Sequence, residues 1–302
     1  MIIVITGPTG VGKTKLSIEL AKKYNAEIIN GDAIQVYKGL DIGSAKVTAE
    51  EKENILHHLF DIKEVTEEYS IYNYQKDCRK AIEEITKRGK NVIIVGGTGL
   101  YIKSALYDYT LNENNLINNE YEDKTNEELY QELIKLDKDI NIDKFNRRRV
   151  VRALNYYLEN GKSINSNKNG NKLLYDAIFI GLTMDNREKL YQRINDRVDK
   201  MLDNGLINEV KAFYDKKVFT KPLLSGIGYK ELYQYFDGKI TYDEAISLIK
   251  RNSRRYAKRQ YTFFNHQFNI RWFNVNIDNF GETISEVTKY INEIKKDYIS
   301  RI

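Results

Sequence analysis

Short apolar runs punctuate a largely polar chain. Residues 1–6 read MIIVIT, a β-branched strand pattern that stops at a glycine-rich turn. Further runs at 26–30 (AEIIN), 91–95 (NVIIV) and 175–184 (YDAIFIGLTM) have the same buried-strand character, and 270–275 (IRWFNV) is a shorter one. Between them the period changes to that of a helix. Leu16, Leu20 and Ala21 recur against lysines over 13–24, a second helix is expected over 70–88 with Gly89 as its stop, and a third over 100–106. Strand and helix alternate with apolar strands, which predicts an α/β fold with a parallel sheet and covering helices. The pattern breaks near Asp108. From Asn112 to Lys172 the chain is rich in Asn, Glu and Lys, with helices expected at 127–136 and 147–158 and a mobile loop at 160–171. The expected organisation is therefore a core of 1–110 with 174–302, interrupted by a helical insertion at 111–173. A long helical region broken at Gly205 and at Lys221-Pro222, and a closing helix near 282–296, complete the core.

Composition adds limits. The 302 residues include 23 Tyr and 11 Phe, ample for a packed core, and carry a net charge of +5. One cysteine, Cys78, allows no internal disulfide and fits a reducing cytoplasm. No apolar run approaches the ~20 residues of a membrane span. Neither length nor surface pattern calls for an obligate oligomer, so a monomer is expected. His57, His58 and His266 have no metal-ligand spacing, and no zinc site is expected. The positive charge is clustered, in Arg147-Arg148-Arg149 with Arg152, and in Arg251, Arg254, Arg255 and Lys258. The second set lies at i, i+3, i+4 and i+7, one face of a helix, with Tyr256 and Tyr261 interleaved. Such a face is either simply solvated or suited to a nucleic-acid backbone.

Gly7-Pro8-Thr9-Gly10-Val11-Gly12-Lys13-Thr14 matches G-x-x-x-x-G-K-[ST] between a strand and a helix. Glycines let backbone N–H groups turn toward a phosphate, the helix adds its positive end, Lys13 adds a charge, and the Thr14 hydroxyl can hold Mg²⁺. The motif is that of nucleotide-binding proteins, and a P-loop NTPase-like core follows from it. An NTPase or kinase also wants an acidic residue ending a second apolar strand. NVIIV ends in Gly96-Gly97-Thr98-Gly99 instead. The first acidic residue past a strand is Asp32, on the same carboxyl edge as Lys13 and Thr14, where α/β proteins bind ligands. A lone Asp there is also a common turn or cap residue.

The stretch Asp32-Ala33-Ile34-Gln35-Val36-Tyr37, followed by Leu40-Asp41-Ile42-Gly43-Ser44-Ala45-Lys46, resembles the tRNA dimethylallyltransferases. So do the phosphate loop, V-G-G-T-G-L-Y at 95–101, R-x-x-R-A-L at 149–154, I-G-Y-K-E-L at 227–232 and R-R-Y-A-K-R-Q-x-T-x-F at 254–264. These six motifs keep the family's order from Gly7 to Phe264.

The resemblance implies transfer of a dimethylallyl group from its diphosphate to the exocyclic amine of the adenosine 3′ to the anticodon, in tRNAs reading codons that begin with U. The cradle Gly7–Thr14 would hold the diphosphate, with Lys13 and Mg²⁺ at Thr14 stabilising charge on the leaving group. Asp32 would take the proton from the amine and orient it. Ala33, Ile34 and Gln35 would meet the base, which must leave its stack to enter such a pocket. Thr98 matches a tRNA-contacting position, though it could equally cap the helix at 100–106. Arg148, Arg149 and Arg152, with Arg251, Arg254, Arg255 and Lys258, are the candidate tRNA-backbone contacts; the first group could instead pair with acidic residues of the insertion, and some arginines of the second could close on the diphosphate.

The chain departs from the family at Ala33, where a serine is usual, and at Ser225, where relatives carry Arg or Gln near the diphosphate. Either another basic residue compensates, or the contact is dispensable. The stretch 110–126 fits poorly and contributes no residue to the assignment, and His57-His58 follows a structural H-H-L pattern. The competing readings are a P-loop small-molecule or nucleotide kinase with a helical lid, and a non-catalytic RNA-binding protein with a relict phosphate loop.

Overall fold

The structure is a computed structural model that describes residues 1–109, 111, 121, 123–166 and 171–299. Six strands, β1 (Ile2–Thr6), β2 (Ala26–Asn30), β3 (His57–His58), β4 (Asn91–Val95), β5 (Ala177–Thr183) and β6 (Arg271–Asn274), form one sheet in the order β3-β2-β4-β1-β5-β6. Every pairing is parallel. The P-loop-like parallel core is thus as the apolar runs predict. β3 was not foreseen, because two residues, His57 and His58, carry no readable period.

Helices cover the sheet: α1 (Lys13–Tyr24), α2 (Ile71–Lys87) and α3 (Gly99–Leu106) follow the first strands. Ser70 caps α2 through a reciprocal box with Asn73, and Gly89 takes a positive φ beyond its end. After β5 come α6 (Arg187–Asp203), α7 (Leu206–Asp215), α8 (Lys221–Ser225), α9 (Tyr229–Phe236), α10 (Tyr242–Gln267) and, after β6, α11 (Phe280–Ile299). Ile3, Ile5, Leu16, Leu20, Ile28, Ile93, Ile180 and Leu182 form the central core between sheet and helices. Cys78 lies fully buried on α2, and burial pushes its thiol pKa up to about 12. Among the described residues, no helix is long and apolar enough to cross a membrane.

Glu27 is a charged residue inside this core, with a side chain 1% exposed. It accepts from Arg88 Nη2 at 2.5 Å, pairs with His58 Nε2 at 2.6 Å and with Lys90 at 3.2 Å, tying β2 to β3 and to the end of α2. Burial works against its charge, but the three partners outweigh it and hold the carboxyl at about 2. A depressed carboxyl stabilises the fold fully above its unfolded value near 4.5, and that contribution is lost as pH falls through about 2. Glu27→Gln is expected to cost about 2 kcal/mol at neutral pH, read as a lower urea midpoint with an unchanged slope. Stability unchanged at pH 7 would remove this network from the account.

The chain divides into two compact units, Met1–Leu106 with Tyr175–Ile302, and Tyr107–Leu174. The second starts four residues before, and ends one residue after, the expected 111–173. It contains α4 (Asn126–Leu136) and α5 (Arg147–Asn160), packed through Leu129, Leu133, Ile140, Val150, Val151 and Leu154. Thr125 and Glu128 make the capping box of α4, and Arg147 donates to the backbone oxygens of Lys124 and Tyr121. Tyr107 and Leu173 bridge in antiparallel fashion, so both ends of the unit meet. In the expected loop at 160–171, Ile164–Ser166 form a 3₁₀ turn, and 167–170 lie outside the described residues. Part of the poorly fitting stretch 110–126 lies outside them as well.

Candidate active site

The carboxyl ends of β1, β2 and β4 open on a cavity of about 880 Å³ lined by residues of the first unit. β1 leads into the cradle, where Gly7, Gly10 and Gly12 all take positive φ, as backbone amides turned toward a phosphate require. Thr9, Gly10, Gly12, Lys13 and Thr14 line the cavity. α1 begins at Lys13 with no acidic residue in its first turn, so its positive end is uncompensated. Pro8 and Val11 are buried beneath the loop and shape it. The Lys13 ammonium folds back to the oxygens of Gly7 and Pro8 at 3.0 and 2.8 Å.

Facing the cradle is the turn after β2. Asn30 is fully buried; its amide oxygen accepts the Asp32 N–H at 2.8 Å, and its Nδ2 donates to the Asp32 and Leu59 oxygens. Asp32 Oδ1 accepts the Ile34 N–H at 3.0 Å. Asp32 therefore does make the local turn, and it also lines the cavity opposite Lys13. The β4 turn packs against this one so closely that a Cβ on Gly96 would lie 2.1 Å from the Gly31 carbonyl carbon. Only glycine fits there, where a phosphate-hydrolysing protein would carry its acid.

Thr98 stands at the start of α3, its carbonyl oxygen accepting the Tyr101 and Ile102 N–H groups at 3.0 and 3.3 Å. Its Oγ1 accepts the Ala33 N–H at 3.0 Å and so fixes the Asp32–Gln35 turn. Gln35 likewise spends its Nε2 donor on the backbone oxygens of Ser44 and Ala45, at 3.0 and 3.3 Å. Both residues line the cavity, along with Ala33 and Ile34.

The electrostatics centre on three groups. Burial raises the Asp32 carboxyl above its ordinary value, although Ile34 N–H, Lys13 and Arg197 all favour its charge. Lys13 is lowered to about 7 by burial and by repulsion from Arg197, against the pull of Asp32. Arg197 on α6 is itself lowered by burial, with Asp32 opposing. Two cations thus share one carboxylate, leaving positive charge for an anion to neutralise.

Arg197 was not expected. Nor was Arg193, one turn earlier, whose Nε holds the cradle through the Gly10 oxygen at 3.0 Å. Gln260, inside the 254–264 motif, bridges the two rims: its Oε1 accepts the Thr9 N–H at 2.9 Å and its Nε2 donates to the Gly97 oxygen at 3.1 Å. Beside it, Tyr256 and Arg259 also line the cavity, as does Ser225. Ser225 turns its hydroxyl to the Lys221 oxygen at 2.6 Å.

The basic stripe on α10 is divided. Arg251, Arg255 and Lys258 are exposed. Arg254 instead donates to Asn195 Oδ1 at 2.6 Å and sits over the Tyr191 ring, so it secures α6. On α5, Arg148, Arg149 and Arg152 are exposed and make no ion pair among the described residues.

The family model described as IPP transferase matches residues 35–267. A protein of Anoxybacillus flavithermus named tRNA dimethylallyltransferase is 50% identical over 298 residues, covering 96% of each chain. This chain belongs to the IPP transferase family. Two solved members share its fold. The tRNA isopentenylpyrophosphate transferase of Staphylococcus epidermidis is 43% identical with a TM-score of 0.73, over 97% of this chain and 98% of that one. A eukaryotic dimethylallyltransferase solved acting on tRNA is 32% identical with a TM-score of 0.84, over 99% of this chain and 79% of that one.

Membership makes Mg²⁺ a question for the donor set. Thr14 is exposed at the first turn of α1, and among the described residues no three His, Cys, Asp or Glu side chains gather as a metal cage. One hydroxyl beside a phosphate cradle suits an ion that arrives on a diphosphate and keeps most of its waters.

Proposed function

We propose that this chain carries out the reaction for which its relatives are named, moving a dimethylallyl group from dimethylallyl diphosphate onto tRNA, at the exocyclic amine of the adenosine 3′ to the anticodon. The observation that carries the reading is Asp32 and the phosphate cradle facing each other across one cavity. The cradle amides of Gly7–Thr14, Lys13 and Arg197 bind the diphosphate. Arg197 supplies the basic group expected to stand in for Ser225. Mg²⁺ at the Thr14 hydroxyl would neutralise further charge on the leaving group.

The adenine amine attacks the allylic carbon as the carbon–oxygen bond breaks, and that electron pair leaves on the diphosphate oxygen. Asp32 accepts the proton the amine sheds, and its raised basicity suits the task. Donor carbon and acceptor nitrogen must meet within about 3–3.5 Å, which calls for two rims held at fixed separation. Gln260 provides that brace. Arg251, Arg255 and Lys258 on α10, and Arg148, Arg149 and Arg152 on α5, are the phosphate contacts of the tRNA. Arg254 contributes by fixing α6. The protein acts as a monomer in the cytoplasm, where its tRNA is met.

The test is a transfer assay with Mg²⁺, labelled dimethylallyl diphosphate and unmodified tRNA. Label mapped to the adenosine 3′ to the anticodon is the expected result. Unlabelled tRNA, with ATP consumed in the presence of a small acceptor, would return the protein to the kinase reading.

A further inference from the structure

Glu209, on α7, meets the D-I-G-S-A-K turn from outside the cavity. Its Oε2 accepts the N–H groups of Asp41 and Ile42 at 3.0 and 2.7 Å. Its Oε1 accepts the Gly43 N–H at 3.0 Å and the Tyr229 hydroxyl at 2.7 Å. Three successive backbone donors form a concave anion nest, and this chain fills it with its own carboxylate. A carboxylate has about four lone-pair sites, and here each is used.

The turn so held is the one that Gln35 grips from inside, through the Ser44 and Ala45 oxygens. Lys46 closes the third side, donating to the Tyr37 oxygen at 2.8 Å and pairing with Asp61 at 2.5 Å. Gln35 is three residues from Asp32 on the same wall of the cavity. Tyr229, buried at 1% exposure, belongs to the turn that lines the cavity beyond Ser225. Three of the four bonds therefore run to the acceptor wall and one to the far end of the pocket.

We propose that Glu209 is a positioning residue for the tRNA adenosine: it clamps the 41–43 backbone so that Gln35 and the Asp32 turn present a preformed wall to the incoming base. The role rests on the prenyl-transfer reading above. It acts through the loop and touches no reacting atom. Glutamine has the same volume but one acceptor oxygen, and its NH₂ would face two donors, so at least two of the four bonds are lost.

Glu209→Gln is to be compared with the unaltered chain in the transfer assay, at a temperature where circular dichroism shows both folded. kcat/KM for tRNA is expected to fall by about tenfold or more, with KM for dimethylallyl diphosphate within about twofold. In substrate-free protein, the amides of Asp41, Ile42 and Gly43 are expected to exchange hydrogen about tenfold faster. A lower melting temperature with tRNA kinetics and 41–43 exchange unchanged would overturn the proposal and leave Glu209 a stability element. If Glu209→Gln does not fold, Tyr229→Phe decides: a loss of about threefold or more in the same constant supports the clamp, and no change overturns it. If the unaltered chain transfers no label, the reaction reading itself falls and this role falls with it, a result distinct from a normal Glu209→Gln.

Discussion

Asp32→Ala is expected to lower turnover by about 10³-fold while tRNA binding stays within about threefold. The carboxylate lines the cavity with Lys13, and its environment raises its pKa. Asp32→Asn is the cleaner variant, because its Oδ1 can still accept the Ile34 N–H that shapes the turn. It removes the base and keeps the geometry. The pH profile carries the same information. Activity should rise with pH through a limb set above the ordinary aspartate value, since the ionised form is the acceptor of the proton. That limb should vanish in the asparagine variant. Turnover within about tenfold of normal in both variants would take Asp32 out of the chemistry. tRNA binding measured by filter retention separates this from lost recognition, because backbone contacts to the arginines depend on salt and not on one buried carboxylate.

Lys13→Ala is expected to cut kcat/KM for dimethylallyl diphosphate by about 10²-fold or more, with tRNA binding preserved. The ammonium has two tasks: it reaches the cradle oxygens of Gly7 and Pro8, and it supplies a charge beside Arg197. Burial lowers its pKa to about 7, so it is mostly neutral above that pH and mostly charged below it. Donor capture by the free protein should therefore weaken as pH rises through about 7. A bound diphosphate favours the charged form and lifts the value, so turnover at saturating donor should lack this falling limb. Calorimetric titration with inorganic pyrophosphate at pH 6 and pH 8 tests the point directly. Normal donor saturation in Lys13→Ala would dismiss the cradle assignment.

Much of this site is legible in the sequence because its parts are contiguous. The cradle is a strand, a set of glycines, Lys13 and the start of a helix within a single stretch, and Asp32 follows the next strand by two residues. What the sequence hides is contributed from far away. Arg197 sits in a polar helix where it reads as one more solvated charge. Its signal is subtle: Arg193 and Arg197 stand one turn apart, beside the apolar row Leu190, Ile194 and Val198 that seats α6 on the core. Gln260 lay inside a recognised motif, yet nothing local says that one amide spans both rims. The same limit hides the packing duties of several candidate side chains. Thr98, Gln35 and Arg254 have the types a substrate contact needs, and each also holds protein partners that become neighbours only when the chain folds. β3 escaped notice because a strand of two residues is defined by its partner alone.

Cys78 has a practical consequence. A thiol reacts as its thiolate, and one held at about 12 inside α2 offers almost none at neutral pH. The chain is thus a natural blank for site-specific labelling: a cysteine placed at exposed Leu158 would take a maleimide dye alone. The buried thiol also serves as a clock. It meets reagent only when the packing around α2 opens, so slow uptake of one label per native chain measures how often the α/β core unlocks.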